Sequence, residues 1–510
     1  MKYKSFLYLI AAVLFITVTS CKKYINEAPI TSTYDAKFWA SQTSAEQAVY
    51  ALYGQFRACL RADASHFVFG DLASGMFVPA SSQWNYVTIT IDRQFDFSYV
   101  PYLEGSLKNW TRFYKVIAQA NLVLERVPAM ADNLFNSTAV KNSFIGEALF
   151  MRALTYFYIT RAWGDPVYVD KTYNDVDYGN IPPIGRTAEA TVLDSCIADL
   201  KKAAGYLDFS GGDPGKTLRA NKGSIYALLA HIYAWKHDYV NAHAACQEVI
   251  SKGGYSLEPA DSYQNIWKGQ SSAENIFEIA MKFNSNDNNF LNSADGYNDY
   301  NEWTEGQFNF FATYLKDDYV DGVKNNCWLA PVDNIEPIFS SDDIRFNKIL
   351  KHVDASGGDK EGYMLLKYTN FNYQNPSLSA NAYVDNNLSF FRLADILLLD
   401  AEALAMQDNA AAVTPLNEVL QRAGLENYSG PTDKTSLVKT ILTERGKELI
   451  GEGQWAYDMI RTQAVANGLT ELLGYQQDRV TQKGYYWPID MSTLFKTDPL
   501  LTQNPWWASH

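Results

Sequence analysis

Apolar residues recur every three or four positions along most of this 510-residue chain. That spacing places them on one face of an α-helix, which completes a turn in about 3.6 residues. Few stretches show the strict alternation of a half-buried β-strand. We therefore expect a mainly α fold, with helices over residues 45–56, 110–127, 144–163, 192–207, 225–235, 240–250, 393–406, 413–423 and 437–460.

Two of these helices have the packing pattern of a tetratricopeptide pair. Ala230 and Ala242 lie twelve residues apart, with the large Tyr233 between them. Small residues at such positions let neighbouring helices approach closely. The other pairs repeat the pattern only loosely, and a long loop over residues 165–188 interrupts them. A regular array of repeats of about 34 residues is therefore not expected.

The middle of the chain differs from the helical blocks on either side. Turn-forming residues crowd together in NSNDNNFLNSADGYNDYNEW and DASGGDKEG. Loops held by a rigid scaffold often carry binding residues. We therefore predict a loop-rich inserted ligand subdomain over residues 270–387, between helical regions over residues 36–269 and 388–510.

The first twenty residues have the three parts of an export signal. Lys2 and Lys4 precede an apolar run over residues 6–18, and small residues lead up to Cys21. The run is shorter than the roughly 20 residues that cross a bilayer as a helix. Residues 1–20 are predicted to be a signal peptide and residues 21–35 a tether. The order Val-Thr-Ser-Cys resembles a bacterial lipobox, in which the cysteine is acylated, and an ordinary signal peptide with a chance cysteine is the alternative.

Charge and cysteine content narrow the class of protein. The formal net charge of -14 argues against a nucleic-acid partner, which requires a basic face. Beyond Cys21, the four cysteines at positions 59, 196, 246 and 327 show no CxxC spacing. Those at 196 and 246 lie on predicted helices and are expected to be small buried apolar residues. Aromatic residues make up 14% of the chain, which indicates either core packing or rings that stack on a ligand.

Three glutamates stand four residues apart near the C-terminal end, at positions 444, 448 and 452. On a helix they share one face, and like charges at this spacing destabilise it unless cations lie close. A pair of carboxylates is also what a glycoside hydrolase uses as acid and nucleophile. Because the motif lies on a periodic amphipathic helix, we expect an ion-paired packing surface instead. The cations expected beside the glutamates are Arg392, Arg422, Arg445 and Arg461.

No other catalytic or metal-binding pattern stands out in the sequence. The HExxH, GxSxG, P-loop and dinucleotide-binding glycine motifs are absent. His231, His237 and His243 are six residues apart, which is not the spacing of paired ligands on one helix face. Residues 284–295 alternate oxygen-bearing side chains as a calcium loop does, but they lack its glycine and its final glutamate. We therefore expect no catalytic residues, no cofactor and no metal.

Seven blocks of sequence resemble, in order, those of the SusD/RagB family. They are KNWTRFYKVIAQANLVLERV, GEALFMRALTYFYITRAWGD, ENIFEIA, FFRLADILLLDAEAL, LNEVLQRAGL, ILTERGKELIGEGQWAYDMIR and YYWPIDMSTLFKTDPLLTQNPWW. The resemblance implies a tetratricopeptide-like scaffold of helical pairs with an inserted loop-rich ligand-binding subdomain. It also implies a nutrient-binding outer-membrane lipoprotein, held by Cys21, that faces the cell exterior beside a SusC-like TonB-dependent transporter.

Two positions depart from the family's motifs. Leu420 and Trp455 each stand where the family usually has an arginine. Both changes replace a cation by an apolar side chain, and we expect the two side chains to contact each other across the helical scaffold.

The ligand site of such a protein needs aromatic rings that stack on a sugar and polar groups that bind its hydroxyls. Two stretches have this composition, GDLASGMFVPASSQWNYVTITIDRQFDFSYVPY and DGYNDYNEWTEGQFNFF. Their positions match the regions from which family members draw binding aromatics. The alternative for each ring is that it packs its loop onto the scaffold. The predicted stacking rings are Trp84, Tyr86, Tyr300 and Trp303, and the predicted hydrogen-bonding residues are Asp71, Asn85, Arg93 and Asn301.

The sequence therefore predicts non-catalytic binding of an oligosaccharide or polysaccharide and its delivery to a transporter. Three alternatives stay open: a peptide-binding lipoprotein of the same transporter type, a surface glycoside hydrolase, and a helical scaffold that binds only protein. The number of aromatic rings does not distinguish one glycan from another.

Overall fold

The computed structural model describes residues 35–80, 107–173, 182–281, 310–311, 314–315, 328–356, 360–373, 382–466 and 477–509. Cys21, the predicted signal peptide and the predicted calcium-like loop lie outside these residues. The division of the chain at residues 270 and 387 stays a prediction.

The described residues form seventeen α-helices and eight short β-strands, which confirms the expectation of a mainly α fold. The helices are α1 (Asp35–Phe38), α2 (Gln42–Arg61), α3 (Ser65–Gly70), α4 (Thr111–Ala129), α5 (Thr138–Trp163), α6 (Glu189–Ala203), α7 (Lys222–Trp235), α8 (Tyr239–Lys252), α9 (Val332–Ile335), α10 (Ile344–Ile349), α11 (Leu393–Met406), α12 (Val413–Arg422), α13 (Lys434–Glu448), α14 (Trp455–Ala466), α15 (Gln477–Thr481), α16 (Leu494–Thr497) and α17 (Pro505–Ser509).

The longest helix, α5, lies at the centre of the scaffold. It begins at the N-cap Ser137, whose hydroxyl accepts a hydrogen bond from the backbone N–H of Val140. Every residue from Phe144 to Trp163 is buried, so this helix is covered on all faces. Helices α2, α4 and α6 pack against it. A helix that is apolar all round requires such a covering, because any open face would leave apolar surface in water.

Helices α7 and α8 form the predicted tetratricopeptide-like pair. Helix α7 begins with a capping box in which Asn221 and Ser224 each bind the other's backbone N–H. Ala230 on α7 and Ala242 on α8 are both fully buried where the two helices pack together. The stack continues from α8 to α11, and from α11 to α12 and α13. The tetratricopeptide-like architecture is therefore present without a regular repeat.

One predicted helix, over residues 437–460, is interrupted. Helix α13 ends at Glu448 and α14 begins at Trp455, with a turn over residues 449–454 between them. Gly451 and Gly453 adopt φ angles of 75° and 74° in this turn, a left-handed conformation that side chains with a Cβ disfavour. The glycines end the helix, so the single helix expected from apolar periodicity was wrong at this point.

The strands join distant parts of the chain and form antiparallel pairs. Strand β2 (Asn275–Ile279) pairs with β8 (Leu388–Arg392), so the chain leaves and re-enters the helical scaffold at one place. The other pairs are β1 (Val78–Pro79) with β3 (Trp328–Leu329), β4 (Leu350–Val353) with β5 (Gly362–Leu365), and β6 (Phe371–Tyr373) with β7 (Ala382–Val384).

The expected contact between Leu420 and Trp455 is wrong. Leu420 on α12 belongs to an apolar cluster formed with α11 and α13, whereas Trp455 packs against the main core. The Trp455 ring lies over Gly446 on α13, where an added Cβ would come within 3.0 Å of it. The two departures from the family's motifs are therefore independent of each other.

Three of the cysteines lie within the described residues, and all three are buried: Cys59, Cys196 and Cys246. This confirms the expectation for Cys196 and Cys246, and burial raises the pKa of both thiols. Cys327 lies outside the described part of the chain. None of the helices in that part combines the length and the hydropathy needed to cross a membrane.

Candidate functional site

The residues that flank the two predicted ligand loops meet at one place. Val78 lies opposite Leu329, and Pro79 opposite Trp328, in the β1–β3 pair. Ala80, which lies in the first predicted stretch ahead of Trp84, shares a small apolar cluster with Leu315, which follows the second stretch, and with Leu329 on β3. We call residues 78–80, 315 and 328–329 the loop roots. The structure thus brings the attachment points of both predicted ligand loops together.

The β4–β5 hairpin supports the loop roots from one side. The backbone N–H of Lys360 donates to the carbonyl of Ala80 at 2.7 Å. Ala330, directly after β3, exchanges two backbone hydrogen bonds with Tyr363 on β5, at 2.8 and 2.9 Å. Backbone hydrogen bonds of this kind hold the register of the loop roots independently of the sequence of the loops.

Seven of the eight predicted ligand-binding residues lie outside the described residues, and their role stays a prediction: Trp84, Asn85, Tyr86, Arg93, Tyr300, Asn301 and Trp303. The eighth, Asp71, is described and is completely buried, with 0% of its surface exposed. In this conformation a ligand on the surface does not reach its carboxylate, and the partners of Asp71 lie inside the protein.

Three buried rings at the end of the second predicted ligand stretch pack the chain against the scaffold. The ring centroid of Phe310 lies 4.5 Å from that of Phe67 on α3, and Phe311 lies 4.5 Å from Tyr368. The third ring, Tyr314, lies 4.8 Å from Phe67 in an edge-on arrangement. Such pairs add about 0.5–1.5 kcal/mol each beyond the burial of apolar area. We call these three rings the aromatic anchor: Phe310, Phe311 and Tyr314.

Asp71 connects the aromatic anchor to the turn that separates α13 from α14. Its Oδ2 accepts hydrogen bonds from the Tyr314 hydroxyl at 2.7 Å and from the Gly453 N–H at 2.8 Å. Its Oδ1 is buried and has no partner among the described residues. Burial raises the pKa of Asp71 to about 7, although both hydrogen bonds act in the opposite direction. The carboxyl group therefore titrates near neutral pH.

The turn over residues 449–454 is held from two further directions. Tyr368 donates its hydroxyl to the carbonyl of Gly451 at 2.9 Å. Nε2 of His66 lies 3.1 Å from the carbonyl of Glu452. Burial lowers the pKa of His66 to about 3, so the ring is neutral and Nε2 carries the donated proton. A Cβ on Gly453 would lie 2.3 Å from that nitrogen, so only glycine fits there.

A buried network of ten charged side chains surrounds the C-terminal end of α13. We call it the ion network, and its charges cancel. Glu448, at its centre, accepts from Arg345 at 2.9 Å, from Arg392 at 2.5 Å and from Arg422. Burial raises the pKa of Glu448, but the arginines more than offset this and hold the pKa well below its usual range. The members are Glu274, Asp343, Glu444, Glu448, Glu452, Arg345, Lys367, Arg392, Arg422 and Lys447.

The prediction of an ion-paired glutamate motif is confirmed, with a partly different set of cations. Arg392 and Arg422 bind the glutamates as expected. The other two predicted partners were wrong: Arg445 binds Asp395 and Asp458, and Arg461 binds Asp458 and Glu402. Arg345 and Lys367 were missed because no local spacing connects them to the glutamates. Lys447 was missed although it lies three residues after Glu444 on the same helix and binds it at 2.6 Å. Since Glu444 and Glu448 are buried and ion-paired, this geometry offers no acid and nucleophile to a substrate.

The predicted helical histidines serve the scaffold and share no site. His231 is buried and contacts Asp395 at 2.8 Å, while His243 contacts Asp400 at 2.6 Å. His237, in the turn between α7 and α8, contacts the carbonyl of Arg461 at 2.8 Å. These contacts agree with the interpretation that the three are not paired metal ligands.

One exposed group of metal-ligating residue types lies on the β4–β5 hairpin within the described residues. His352 contacts Glu361 at 3.0 Å through Nε2 and Asp354 at 3.4 Å through Nδ1. One imidazole nitrogen and one oxygen of each carboxylate lie within 4.8 Å of one another, and all three residues are exposed. Exposed ion pairs explain this arrangement, and we assign no metal to it.

A cavity of about 260 Å³ lies elsewhere on the scaffold, between α4, α5 and α6. Its lining includes the buried ion pair of Arg152 with Asp199, at 2.8 Å, and a single aromatic ring, Tyr206. None of the loop-root residues lines it. One ring and a satisfied ion pair do not form the combination of stacking surface and free polar groups expected of a sugar site.

Comparison with known proteins shows which family has this sequence pattern and this fold. Two family models match the chain, one described as "SusD family" over residues 265–507 and one described as "Starch-binding associating with outer membrane" over residues 32–234. A SusD-like protein of Formosa agariphila is 24% identical over 518 residues, covering 96% of each chain.

Solved structures show the same fold. A SusD homologue from Bacteroides thetaiotaomicron has a TM-score of 0.73 at 24% identity, covering 92% of this chain and 99% of its own. A laminarin-binding SusD-like protein has a TM-score of 0.70 at 21% identity, covering 91% of this chain and 99% of its own. The fold therefore matches along nearly the whole length of both structures.

The buried ion network predicts a large asymmetry between two charge deletions. Arg392→Met leaves Glu448, Glu452 and Glu274 with fewer cations in a buried site, and we expect the free energy of unfolding to fall by about 3–5 kcal/mol. Lys252→Met removes the exposed partner of Glu248, and we expect little or no loss of stability, because water screens exposed ion pairs. Urea denaturation of both variants measures the difference. Equal losses would contradict the central role of the network.

Asp71 predicts a specific pH dependence of stability. Its folded-state pKa of about 7 lies above the ordinary value of 3.8, so the folded state holds an extra proton between these values. The resulting stabilisation is complete below about pH 4 and is lost as the pH rises through 7. Asp71→Asn keeps an acceptor oxygen but cannot ionise. Relative to the wild type, its free energy of unfolding should therefore increase by roughly 2 kcal/mol between pH 5 and pH 8.

Urea denaturation of the wild type and Asp71→Asn at both pH values tests this expectation. All other titrating groups are shared and cancel in the comparison. A constant difference between the two proteins at pH 5 and pH 8 would show that Asp71 does not titrate in this range.

Proposed function

The chain belongs to the SusD/RagB family, and on that premise we propose that it captures oligosaccharides or polysaccharides without cleaving them. In the same proposal it delivers them to a SusC-like TonB-dependent transporter of the outer membrane. The description of the matching family model, which names starch binding and outer-membrane association, supports a glycan ligand and a location at the outer membrane. A laminarin-binding protein of the same fold supports a glycan as the ligand.

The observation that carries the proposal is the convergence of the loop roots. The stretch with Trp84, Asn85 and Tyr86 begins directly after residues 78–80, and the stretch with Tyr300 and Trp303 precedes the aromatic anchor. Because Ala80 and Leu315 pack in one cluster, the residues that lead into Trp84 and those that follow the second stretch lie on the same part of the scaffold. This supports a single composite site to which each loop contributes rings and polar groups.

The chemistry of these side chains suits a sugar. The C–H face of a pyranose ring stacks on the electron-rich face of Trp or Tyr, and its hydroxyls require directed donors and acceptors. Asn85, Arg93 and Asn301 supply both kinds of group. Asp71 is not included in this proposed site, because its carboxylate is buried and bound to Tyr314 and Gly453.

The burial of the glutamate motif supports the non-catalytic part of the proposal. Glu444 and Glu448 would be the pair expected of a hydrolase, and both are ion-paired in the interior. A capture protein must also release its ligand to the transporter, which favours modest affinity on rigid rings over covalent chemistry. Release of reducing sugars by the purified protein would favour the hydrolase alternative.

The proposed location depends on Cys21. In a full-length chain expressed in a Gram-negative bacterium, we expect Cys21 to take up radiolabelled fatty acid and the protein to sediment with outer membranes, because stable anchoring requires more than one acyl chain. Cys21→Ala should lose both the label and the sedimentation. Cys59→Ala, which changes a buried thiol of the scaffold, is the matched control and should retain both. Labelling of Cys21→Ala would contradict lipidation at this residue.

Glycan capture is tested with the soluble form that begins at Lys22. We expect saturable binding of laminarin, soluble starch or another member of a polysaccharide panel by affinity electrophoresis and calorimetry. Trp84→Ala and Trp303→Ala should each weaken binding at least tenfold, since loss of one stacking ring removes a large part of the contact with a sugar.

Tyr50→Ala is the matched control for these variants. Tyr50 is a half-exposed ring on α2, 49% accessible, and belongs to neither predicted loop. Its replacement should leave binding unchanged. Binding that survives both tryptophan substitutions would move the site away from the loops, and absence of binding to every glycan would favour the peptide alternative.

A further inference from the structure

We propose that Asp71 and Tyr314 are positioning residues for ligand capture, and that their hydrogen bond fixes the loop roots in the arrangement that binds the ligand. The inference rests on the proposed function for its ligand, while its structural part is carried by described residues alone. It replaces the predicted direct contact of Asp71 with a ligand by an indirect role.

Tyr314 lies directly beside the loop roots. The next residue, Leu315, is itself a loop root and packs with Ala80 and Leu329. The Tyr314 ring lies 4.7 Å from Phe77, the residue that precedes β1. A displacement of Tyr314 would therefore disturb the attachment points of both predicted ligand loops at once.

Asp71 connects Tyr314 to the most constrained part of the scaffold. The same Oδ2 that accepts from Tyr314 also accepts the backbone N–H of Gly453. The neighbouring residue, Glu452, binds Lys367 at 2.6 Å and Arg392 at 2.8 Å within the ion network. One carboxylate oxygen thus links the network to the aromatic anchor. Along the sequence, Asp71 is 243 residues from Tyr314 and 382 residues from Gly453.

The hydrogen bond adds direction that ring packing does not supply. Burial of Phe310 and Phe311 is favourable but tolerates sliding, because dispersion and hydrophobic contacts are weakly directional. A buried tyrosine hydroxyl must instead keep its acceptor within about 3 Å, because a buried donor that loses its hydrogen bond is costly. The Tyr314 hydroxyl therefore fixes the orientation of the anchor and with it the position of Leu315.

The charged and titratable groups around Asp71 determine which replacement is conservative. Burial raises the pKa of Asp71, and the charge of Glu452 raises it further. The hydrogen bond from Tyr314 and the charge of Lys367 lower it. Burial also raises the pKa of Tyr368, and the charge of Asp71 adds to that shift. Oδ2 accepts its two hydrogen bonds whether or not Oδ1 carries a proton. Asparagine offers one acceptor oxygen in the same place and should preserve the connection. Leucine, of similar volume, offers none.

The experiment compares four variants: Tyr314→Phe, Asp71→Leu, Asp71→Asn and Tyr53→Phe. Tyr53→Phe is the matched control, because the Tyr53 hydroxyl donates to the buried Glu147 at 2.6 Å and accepts from the Ala220 N–H. None of these three residues belongs to the loop roots or the aromatic anchor. Two readouts are taken for each protein. The first is the Kd for laminarin and for soluble starch, and the second is backbone hydrogen exchange over residues 76–80 and 328–330 without ligand.

We expect Tyr314→Phe and Asp71→Leu to weaken binding at least fivefold and to accelerate exchange at the loop roots. Asp71→Asn should stay within twofold of the wild type in both readouts, because it keeps the acceptor oxygen for Tyr314. If any destabilising substitution at Asp71 impaired binding, Asp71→Asn and Asp71→Leu would not differ in this way. Tyr53→Phe should lower the thermal midpoint without changing either readout. If Asp71→Leu does not fold, Tyr314→Phe and Asp71→Asn still decide the question.

The outcomes separate this inference from the proposed function. If the wild type binds a glycan and Tyr314→Phe binds it equally well, the positioning role is overturned while glycan capture stands. If the wild type binds neither polysaccharide, the proposed ligand class fails, and exchange at the loop roots decides alone: faster exchange in Tyr314→Phe but not in Tyr53→Phe supports the connection. Unchanged exchange in Tyr314→Phe overturns it.

Discussion

The carboxylate of Glu448 gathers three arginines that arrive from separate parts of the chain. Arg345 comes from α10, Arg392 from the end of β8 and Arg422 from the last turn of α12. Removing charges from water is costly, and only complete pairing with good geometry offsets that cost. The loss of any one partner therefore destabilises the whole network, because it leaves a buried charge uncompensated and repelled by its like-charged neighbours. This requirement fixes how α10 and β8 sit on the C-terminal helices α12 and α13.

A chain of contacts connects this network to the loop roots, beside which the ligand is proposed to bind. The turn over residues 449–454 belongs to both, since the Glu452 side chain enters the network while the Gly453 N–H reaches Asp71. Asp71 holds Tyr314, and Tyr314 adjoins the loop roots. A binding site is most precise when its supporting shell is itself locked by packing and hydrogen bonds. Here backbone hydrogen bonds hold the loop roots, so their register does not depend on the side chains of the loops.

Local patterns in the sequence predict the helices well and the connections between them poorly. The helix expected over residues 393–406 has the bounds of α11, whereas the one over 437–460 breaks at two glycines that apolar periodicity does not register. Arg345 lies 103 residues before Glu448, so no spacing rule could pair them. Asp71 was predicted to bind the ligand, but the structure buries it against Tyr314 and Gly453. Neither of these residues carries a signal of that contact in the sequence. The ligand loops are predicted from composition alone, because their role depends on exposed side chains and not on packing.

The distribution of charge bears on how such a protein selects its ligand. The ion network contains five carboxylates and five cations, so it contributes nothing to the formal net charge of -14. The excess negative charge therefore resides outside the network. Long-range electrostatic attraction accelerates the association of charged partners, but it exerts no net force on a neutral sugar. Selection of a neutral glycan must then come from short-range contacts, namely ring stacking and directed hydrogen bonds. Both interactions weaken steeply when the side chain and the sugar move apart by an ångström or two. Selectivity therefore depends on how firmly the loop roots are held.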